Sequence, residues 1–227
     1  MYYRRYIKAS GATDEEMIRY YKLEQQAQAY AWEFWQDTLC SLSLRLKEDT
    51  LLGFSRDILP LFFLDADLDK EYEKQTGEKI VRTGQFTWHG DRQAHIEIQL
   101  SRKTKTLNKT LQRTIRHELC HYALWLAGYP CDDDSVTFWF LAAVMDAQPY
   151  MIPENEEAKK LIKTAMNIYN EYVKDMLKGS KEFTIGMMLH YISTCTPETY
   201  ESTVLPKVKD LKAQSEEWLE TVENSKK

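Results

Sequence analysis

The chain has 227 residues, 43% of them hydrophobic and 29% charged, and these proportions exclude collagen-like, intrinsically disordered and membrane-spanning classes of protein. Its 30 lysines and arginines against 35 aspartates and glutamates give a formal net charge of -5, which disfavours non-specific binding to nucleic acid or to an anionic membrane. With 8 glycines and 6 prolines, the chain favours long regular elements over a β protein with many turns.

The first predicted element is an amphipathic helix. Thr13 followed by Glu16 is a capping-box pattern, and apolar residues recur behind it at helical spacing. Residues 14–48 are therefore predicted to form one long helix or two helices in tandem. The short apolar and aromatic segment 58–64 then predicts a buried strand.

A β-hairpin is predicted next. Residues 80–88 and 94–100 resemble two strands, and the turn residues 89–91 separate them. Every second residue from Ile96 to Leu100 is apolar, and the residues between them are polar. One face of the second strand is therefore expected to pack on the core.

Helical spacing returns over residues 106–127, and Gly128 followed by Pro130 predicts where this helix ends. Further helices are predicted at 135–147, 154–178, 182–193 and 207–222. The expected organisation is a domain of residues 1–150, which includes the N-terminal helix, and a helical C-terminal extension of residues 151–227 packed on it.

The four cysteines contain no CxxC pair, so neither a disulfide framework nor a thiolate zinc ribbon is expected. The first ten residues lack the apolar segment of a signal peptide, and no apolar run approaches the roughly 18 residues of a membrane span. A cytoplasmic protein with no membrane partner is therefore expected.

The most informative motif is His117-Glu118-Leu119-Cys120-His121, an HExxH sequence in the second half of the 106–127 helix. Histidines four residues apart lie one above the other on a helix, so both imidazoles can bind one metal ion. Glu118 projects beside that ion and can take a proton from a water molecule bound to it. The motif predicts hydrolysis of peptide bonds, with zinc as the cofactor and Glu118 as the catalytic base.

A hydrolytic zinc site normally has a third protein ligand. The metzincin pattern requires Gly and His where this chain has Leu124 and Ala127. A gluzincin-type glutamate is also missing, because the acid within the predicted helix 135–147 is Asp146. The acidic run 132–134 is the remaining source of a ligand, although it could instead cap the following helix. The residues alone leave open which of the three aspartates binds metal.

Three runs of sequence, with the helix-ending glycine and an aromatic residue behind them, together resemble a known family. They are Gly84-Gln-Phe, His95-Ile-Glu-Ile-Gln-Leu-Ser101 and Thr114-Ile-Arg-His-Glu-Leu-Cys-His-Tyr-Ala123, followed by Gly128 and Phe138. Over roughly residues 55–147 the chain resembles the SprT-like zinc metalloproteases, the minimal zincin domain shared with Spartan-type enzymes. The resemblance implies an α+β, zincin-like fold, in which a small sheet packs on the HExxH helix, with additional N- and C-terminal helices here.

The resemblance also implies site residues. By motif position His117 and His121 correspond to zinc ligands and Glu118 to the catalytic residue. The family usually has a third histidine shortly before an aromatic residue, and the matching place here is acidic. A spacing of five residues before Phe138 indicates Asp133 and a spacing of four indicates Asp134; some members resemble this chain in having Asp there, and Asp133 is preferred. The zinc ribbon that follows the protease domain in many members has no counterpart.

A basic segment precedes and begins the HExxH helix. Its members are Arg102, Lys103, Lys105, Lys109, Arg113 and Arg116. These cations can bind phosphate groups, but a solvated helix face is the favoured explanation at this net charge. The expected partner is a peptide or protein substrate, bound as an added strand beside residues 94–100. The alternatives are a non-catalytic protein that binds metal or a partner, and a DNA-stimulated protease of DNA-bound proteins.

Overall fold

The structure of the protein is a computed structural model, which describes residues 13–39, 42, 61–64, 73–78, 83–89, 93–100, 105–147 and 154–225. Within these residues helices predominate and accompany one small β-sheet, so the protein belongs to the α+β class that the sequence predicts. No helix in this part of the chain is both long enough and apolar enough to cross a membrane.

Helix α1 spans Asp14–Phe34 and continues as a π-helical segment, Trp35–Leu39. The predicted capping box forms: the Glu16 N–H donates to the Thr13 hydroxyl at 3.2 Å, and the Thr13 N–H donates to the Glu16 carboxylate at 2.9 Å. The residues that α1 buries recur at helical spacing, as predicted; they are Tyr20, Leu23, Ala27 and Ala31. The rest of the predicted helix, after residue 39, lies largely outside the described residues.

The sheet has three strands, β1 (Leu61–Leu64), β2 (Gly84–His89) and β3 (Gln93–Gln99). Their order is β1-β3-β2; β3 runs antiparallel to β2, as the predicted hairpin requires, and parallel to β1. The alternation in β3 is confirmed, because Ile96 and Ile98 are fully buried. The first part of the predicted strand 58–64, and the tip of the hairpin turn, lie outside the described residues.

The order of the strands corrects one expectation. Because residues 96–99 of β3 are paired with β1 on one side and with β2 on the other, a peptide cannot be added along this part of the strand. Among the described strands, β2 is the one that stands at the edge next to the HExxH helix. Local alternation predicts which face of a strand is buried, but not which strand lies in the middle of the sheet.

Helix α2 spans Lys109–Ala127 and carries the HExxH motif. Asn108 caps its first turn by accepting a hydrogen bond from the Leu111 N–H at 2.9 Å. The helix packs against β2, β3 and α1, and its second half is buried on almost every side. It ends in a Schellman motif: Gly128 has a φ of 77°, and the Tyr129 N–H donates to the Leu124 carbonyl at 2.9 Å.

The remaining helices extend the structure beyond α2. They are α3 (Val136–Val144), α4 (Glu156–Ile168, continuing as a π-helical segment over Tyr169–Val173), α5 (Lys178–Ile192) and α6 (Pro197–Asn224). Helix α3 packs against α2 on one side and against α4 and α5 on the other. The buried apolar residues of 1–150 and of 151–227 belong to one hydrophobic cluster, and α3 is one of the elements that connect the C-terminal helices to the rest.

Helix α6 is longer than the predicted segment 207–222. It begins at Pro197, where the ring is tolerated because the first N–H groups of a helix have no partner within it. Pro206 lies inside the helix rather than before it. Proline in a helix interior costs roughly 3 kcal/mol, so the sequence pattern favours a start after Pro206, and packing against α4 and α5 overrides that preference.

Candidate metal centre

The two histidines of the HExxH motif lie side by side in the interior of the protein. His117 and His121 are 4% and 7% exposed, and their Nε2 atoms are 3.1 Å apart. This is the arrangement expected of histidines one helical turn apart, with both rings turned to the same point.

The loop between α2 and α3 brings Asp133 to the same point. Its Oδ1 atom lies 3.2 Å from His117 Nε2 and 3.4 Å from His121 Nε2. The turn at Gly128 reverses the chain directly after α2, so a residue five positions further on reaches back to the histidines. The structure thus brings the three predicted residues, His117, His121 and Asp133, into one group that could hold a metal ion; both histidines are buried, and Asp133 is partly exposed.

The spacing of these atoms fits a small cation. Tetrahedral zinc binds histidine nitrogen and carboxylate oxygen at about 2.0–2.1 Å, which separates any two ligand atoms by about 3.3–3.4 Å. The three separations here are 3.1, 3.2 and 3.4 Å. An ion could therefore contact all three side chains with little movement.

The hydrogen bond from His121 to the backbone determines which of its nitrogens can bind metal. Its Nδ1 atom contacts the carbonyl oxygen of Cys131, and a carbonyl can only accept, so Nδ1 carries the proton. In the neutral ring Nε2 then has a free lone pair, which faces the carboxylate of Asp133. Two electron-rich atoms at this separation need a positive charge between them, and metal-binding histidines are usually oriented by such a backbone contact.

The residue that caps the N-terminus of α3 is not one of the aspartates of the acidic run. Ser135 caps α3, since its hydroxyl accepts a hydrogen bond from the Phe138 N–H at 3.2 Å. Asp133 Oδ1 is buried, and no donor among the described residues gives it a hydrogen bond of acceptable geometry. A buried carboxylate oxygen in this condition is costly unless a cation satisfies it.

The electrostatics of the group agree with that requirement. Burial raises the pKa of Asp133, but its contacts with His117 and His121 outweigh burial and hold this pKa well below the usual range. Burial lowers the pKa of His121, whereas Asp133, the charge of Glu118 and the Cys131 carbonyl together raise it further, so the net shift is upward. The surroundings of His121 therefore favour positive charge on its ring.

Aromatic rings fix the planes of the two imidazoles. The Phe138 ring stacks on His121 with centroids 3.8 Å apart, and it meets the edge of His117 at 4.8 Å. Phe86 of β2 is also parallel to the His121 ring, at 5.9 Å, and stacks on Trp88 at 5.4 Å. Trp88 is 43% exposed, so this row of rings leads from the candidate centre to the surface.

Glu118 is 5% exposed and lies between α2 and the start of β2. Its charge acts on His121, as the shift in the pKa of that histidine shows.

The predicted basic segment is only partly available for binding. Arg102 and Lys103 lie outside the described residues, and Lys105 and Lys109 are exposed. The two arginines form internal contacts: Arg113 donates to Asp146 at 2.8 Å, and Arg116 donates to Asp146 at 3.4 Å, to the Met145 carbonyl at 3.1 Å and to the Tyr30 hydroxyl. Asp146, the acidic residue within the predicted helix 135–147, is thus paired with both arginines.

Two features of the site have no sequence signature. The Cys131 contact uses a backbone carbonyl, which every residue possesses. The close approach of Gly84 to Glu118 joins residues 34 positions apart, and a glycine in a strand gives no indication of its partner.

Comparison of the chain with protein-family models, with curated proteins and with solved structures gives no match. What defines the site is therefore its own geometry: two buried histidines and a partly exposed aspartate that could together hold a metal ion.

Proposed function

We propose that the protein is a zinc-dependent metallopeptidase with a zincin-like fold, similar to the SprT-like enzymes. The observation that carries the proposal is the convergence of His117 Nε2, His121 Nε2 and Asp133 Oδ1 within 3.4 Å of one another, beside a buried glutamate of the same helix. Three protein ligands are the number found in catalytic zinc sites, whereas structural sites usually have four.

Each residue then has a definite role. When bound, zinc would polarise the scissile carbonyl and lower the pKa of a water molecule toward about 7. Glu118 would accept a proton from the water molecule that attacks the carbonyl carbon, and would donate that proton to the leaving nitrogen as the C–N bond breaks. His121 is held in its ligating tautomer by the Cys131 carbonyl, and Asp133 compensates positive charge.

The substrate would add to the outer edge of β2. The Gln99 N–H donates to the Thr83 carbonyl at 2.9 Å, and hydrogen-bonded pairs alternate along an antiparallel ladder. The main-chain groups of Gly84, Phe86 and Trp88 are therefore the ones directed away from β3. An extended peptide paired with these three residues would pass the metal centre, with affinity coming from its main chain.

Metal analysis and one substitution test the proposal. The purified protein should contain about one zinc ion per chain and should cleave unfolded protein substrates. Glu118→Gln should retain the zinc and lose hydrolysis by at least about 100-fold, because the amide cannot accept the proton. A protein that binds no zinc, or a Glu118→Gln variant that cleaves at the normal rate, would contradict the proposal.

A further inference from the structure

We propose that Gly84 is the positioning residue of the catalytic base: its missing side chain leaves the space that the Glu118 carboxylate occupies. The role of Glu118 as a base rests on the proposed function, but the contact between Gly84 and Glu118 does not depend on that function. Gly84 is the first residue of β2, and Glu118 lies in the middle of α2.

The distances leave no room for another residue. A Cβ atom at position 84 would lie 2.6 Å from Glu118 Oε1, 2.8 Å from Glu118 Cγ and 2.9 Å from Thr114 Cγ2. Non-bonded carbon atoms are normally separated by about 3.5 Å or more. Both distances to carbon atoms are well below this value, and the distance to Glu118 Oε1 is shorter still. An alanine at this position therefore forces something to move.

The backbone of β2 is not free to move at this point. On one side the Thr83 carbonyl accepts a hydrogen bond from the Gln99 N–H of β3 at 2.9 Å, and Gly84 lies opposite the fully buried Ile98. On the other side the hydroxyls of Thr83 and Thr114 are 3.1 Å apart, and the Thr114 hydroxyl donates to the Thr110 carbonyl. The strand is thus attached to both the sheet and α2 within one residue of the glycine.

The displacement must then fall mainly on Glu118, the most flexible of the groups involved. The three atoms nearest to a new Cβ belong to Glu118 and Thr114, and none of them is a candidate metal-ligating atom of His117, His121 or Asp133. A side chain at position 84 should consequently shift the base while the metal centre keeps its ligands. This separates Gly84 from residues whose loss would disturb the whole site.

A stability cycle tests the contact without any assay of activity. The four proteins are the wild type, Gly84→Ala, Glu118→Ala and the double variant, each measured by thermal unfolding as purified. Overpacking should lower the Tm of Gly84→Ala by about 2–12 °C relative to the wild type. In the Glu118→Ala background the same change should have a much smaller effect, because the new methyl group enters the space that the carboxylate has left.

Activity and metal content test the consequence for the base. We expect Gly84→Ala to lower kcat by about 10–100-fold with KM changed less than about threefold and with zinc content and affinity unchanged. Gly179→Ala is the matched control: a Cβ at Gly179 meets no atom within 4 Å, so its Tm should not fall and its kcat should equal that of the wild type.

The outcomes separate the two ideas. Equal loss of Tm in both backgrounds, or full kcat in Gly84→Ala, overturns the positioning role. Should Gly84→Ala fail to fold, the double variant must still be recovered folded, and an insoluble double variant also overturns the inference. A wild type that binds zinc but cleaves nothing would instead remove the proposed function, while the stability cycle still decides whether Gly84 holds Glu118.

Discussion

The imidazole Nδ1–H of His121 donates to the backbone carbonyl of Cys131, so the loop that follows the HExxH helix orients one of the helix's own histidines. The same loop delivers the Asp133 carboxylate two residues later. Because both contacts come from one short segment, the tautomer of His121 and the position of the third candidate ligand are fixed together.

Loss of a hydrogen bond to a metal ligand typically weakens metal binding by about 10–100-fold. Asp133→Asn should weaken zinc binding by more than this, because it removes the charge that faces both imidazoles. Asp132→Asn and Asp134→Asn are matched controls, as neither residue belongs to the group that could hold a metal ion. Competition with a chromogenic zinc chelator would measure all three. An Asp134 variant that loses zinc while Asp133→Asn keeps it would assign the ligand to the neighbouring position.

The stability of the metal-free protein should depend on pH through the same residues. Because the pKa of Asp133 is lowered in the folded state, Asp133 stabilises the fold above its unfolded pKa of about 3.8. This stabilisation is lost as the pH falls through the still lower folded pKa. The raised pKa of His121 means that its contribution is complete below about 6.5 and is lost as the pH rises through its higher folded value. With EDTA present, the stabilisation that this pair provides, measured as an increase in Tm, should therefore be greatest at about pH 4–6.5.

Zinc should reverse that trend, since the metal and the proton compete for the same nitrogen atoms. The difference between the Tm with zinc and the Tm with EDTA should increase from pH 5.5 to 7.5. Thermal scans of the wild type and of His121→Ala at several pH values would measure it. A difference that is independent of pH, or one that persists in His121→Ala, would place the zinc elsewhere.

Trp88→Ala should raise KM for protein substrates by about 2–10-fold and leave kcat and zinc content unchanged, because the exposed ring stands beside the proposed peptide path and outside the ligand set. Ile18→Ala removes a comparably exposed apolar side chain from α1 and serves as the control. Initial rates over a range of substrate concentration would distinguish the two parameters. A fall in kcat alone would contradict the proposed path.

Single-stranded DNA should not stimulate cleavage, because Arg113 and Arg116 of the basic segment are engaged with Asp146 and its neighbours. The measurement is the cleavage rate with and without DNA at low and high salt. Stimulation that fades with salt, and that is lost in Lys105→Ala or Lys109→Ala, would favour a DNA-dependent protease instead.

The parts of the site that depend on local periodicity could be predicted from the sequence. A helix places residues four apart on one face, so the relation of His117 to His121 follows from their spacing alone. The alternation from Ile96 to Leu100 likewise gives the buried face of β3. The acidic run limits the third candidate ligand to one of three aspartates. The turn at Gly128, which the sequence also predicts, explains why one of them reaches the histidines.

The parts that depend on non-local contacts could not be predicted. Parallel pairing of β1 with β3 makes β3 the central strand, and nothing within 94–100 encodes that partner. The start of α6 was missed because Pro206 has the properties of a helix break, and only packing on α4 and α5 shows that the helix continues through it. The internal engagement of Arg116 depends on Tyr30, a residue of a distant helix.

The cap of α3 has a consequence for how the loop could change. Ser135 begins the helix and also donates to the Pro130 carbonyl, so the turn keeps its shape without help from the side chain at position 133. The candidate ligand and the residue that caps the helix are thus different residues, two positions apart. Replacing Asp133 by histidine would alter the charge of the centre by one unit and leave the turn intact, which makes ligand identity a property that evolution, or a protein engineer, can adjust separately from the fold.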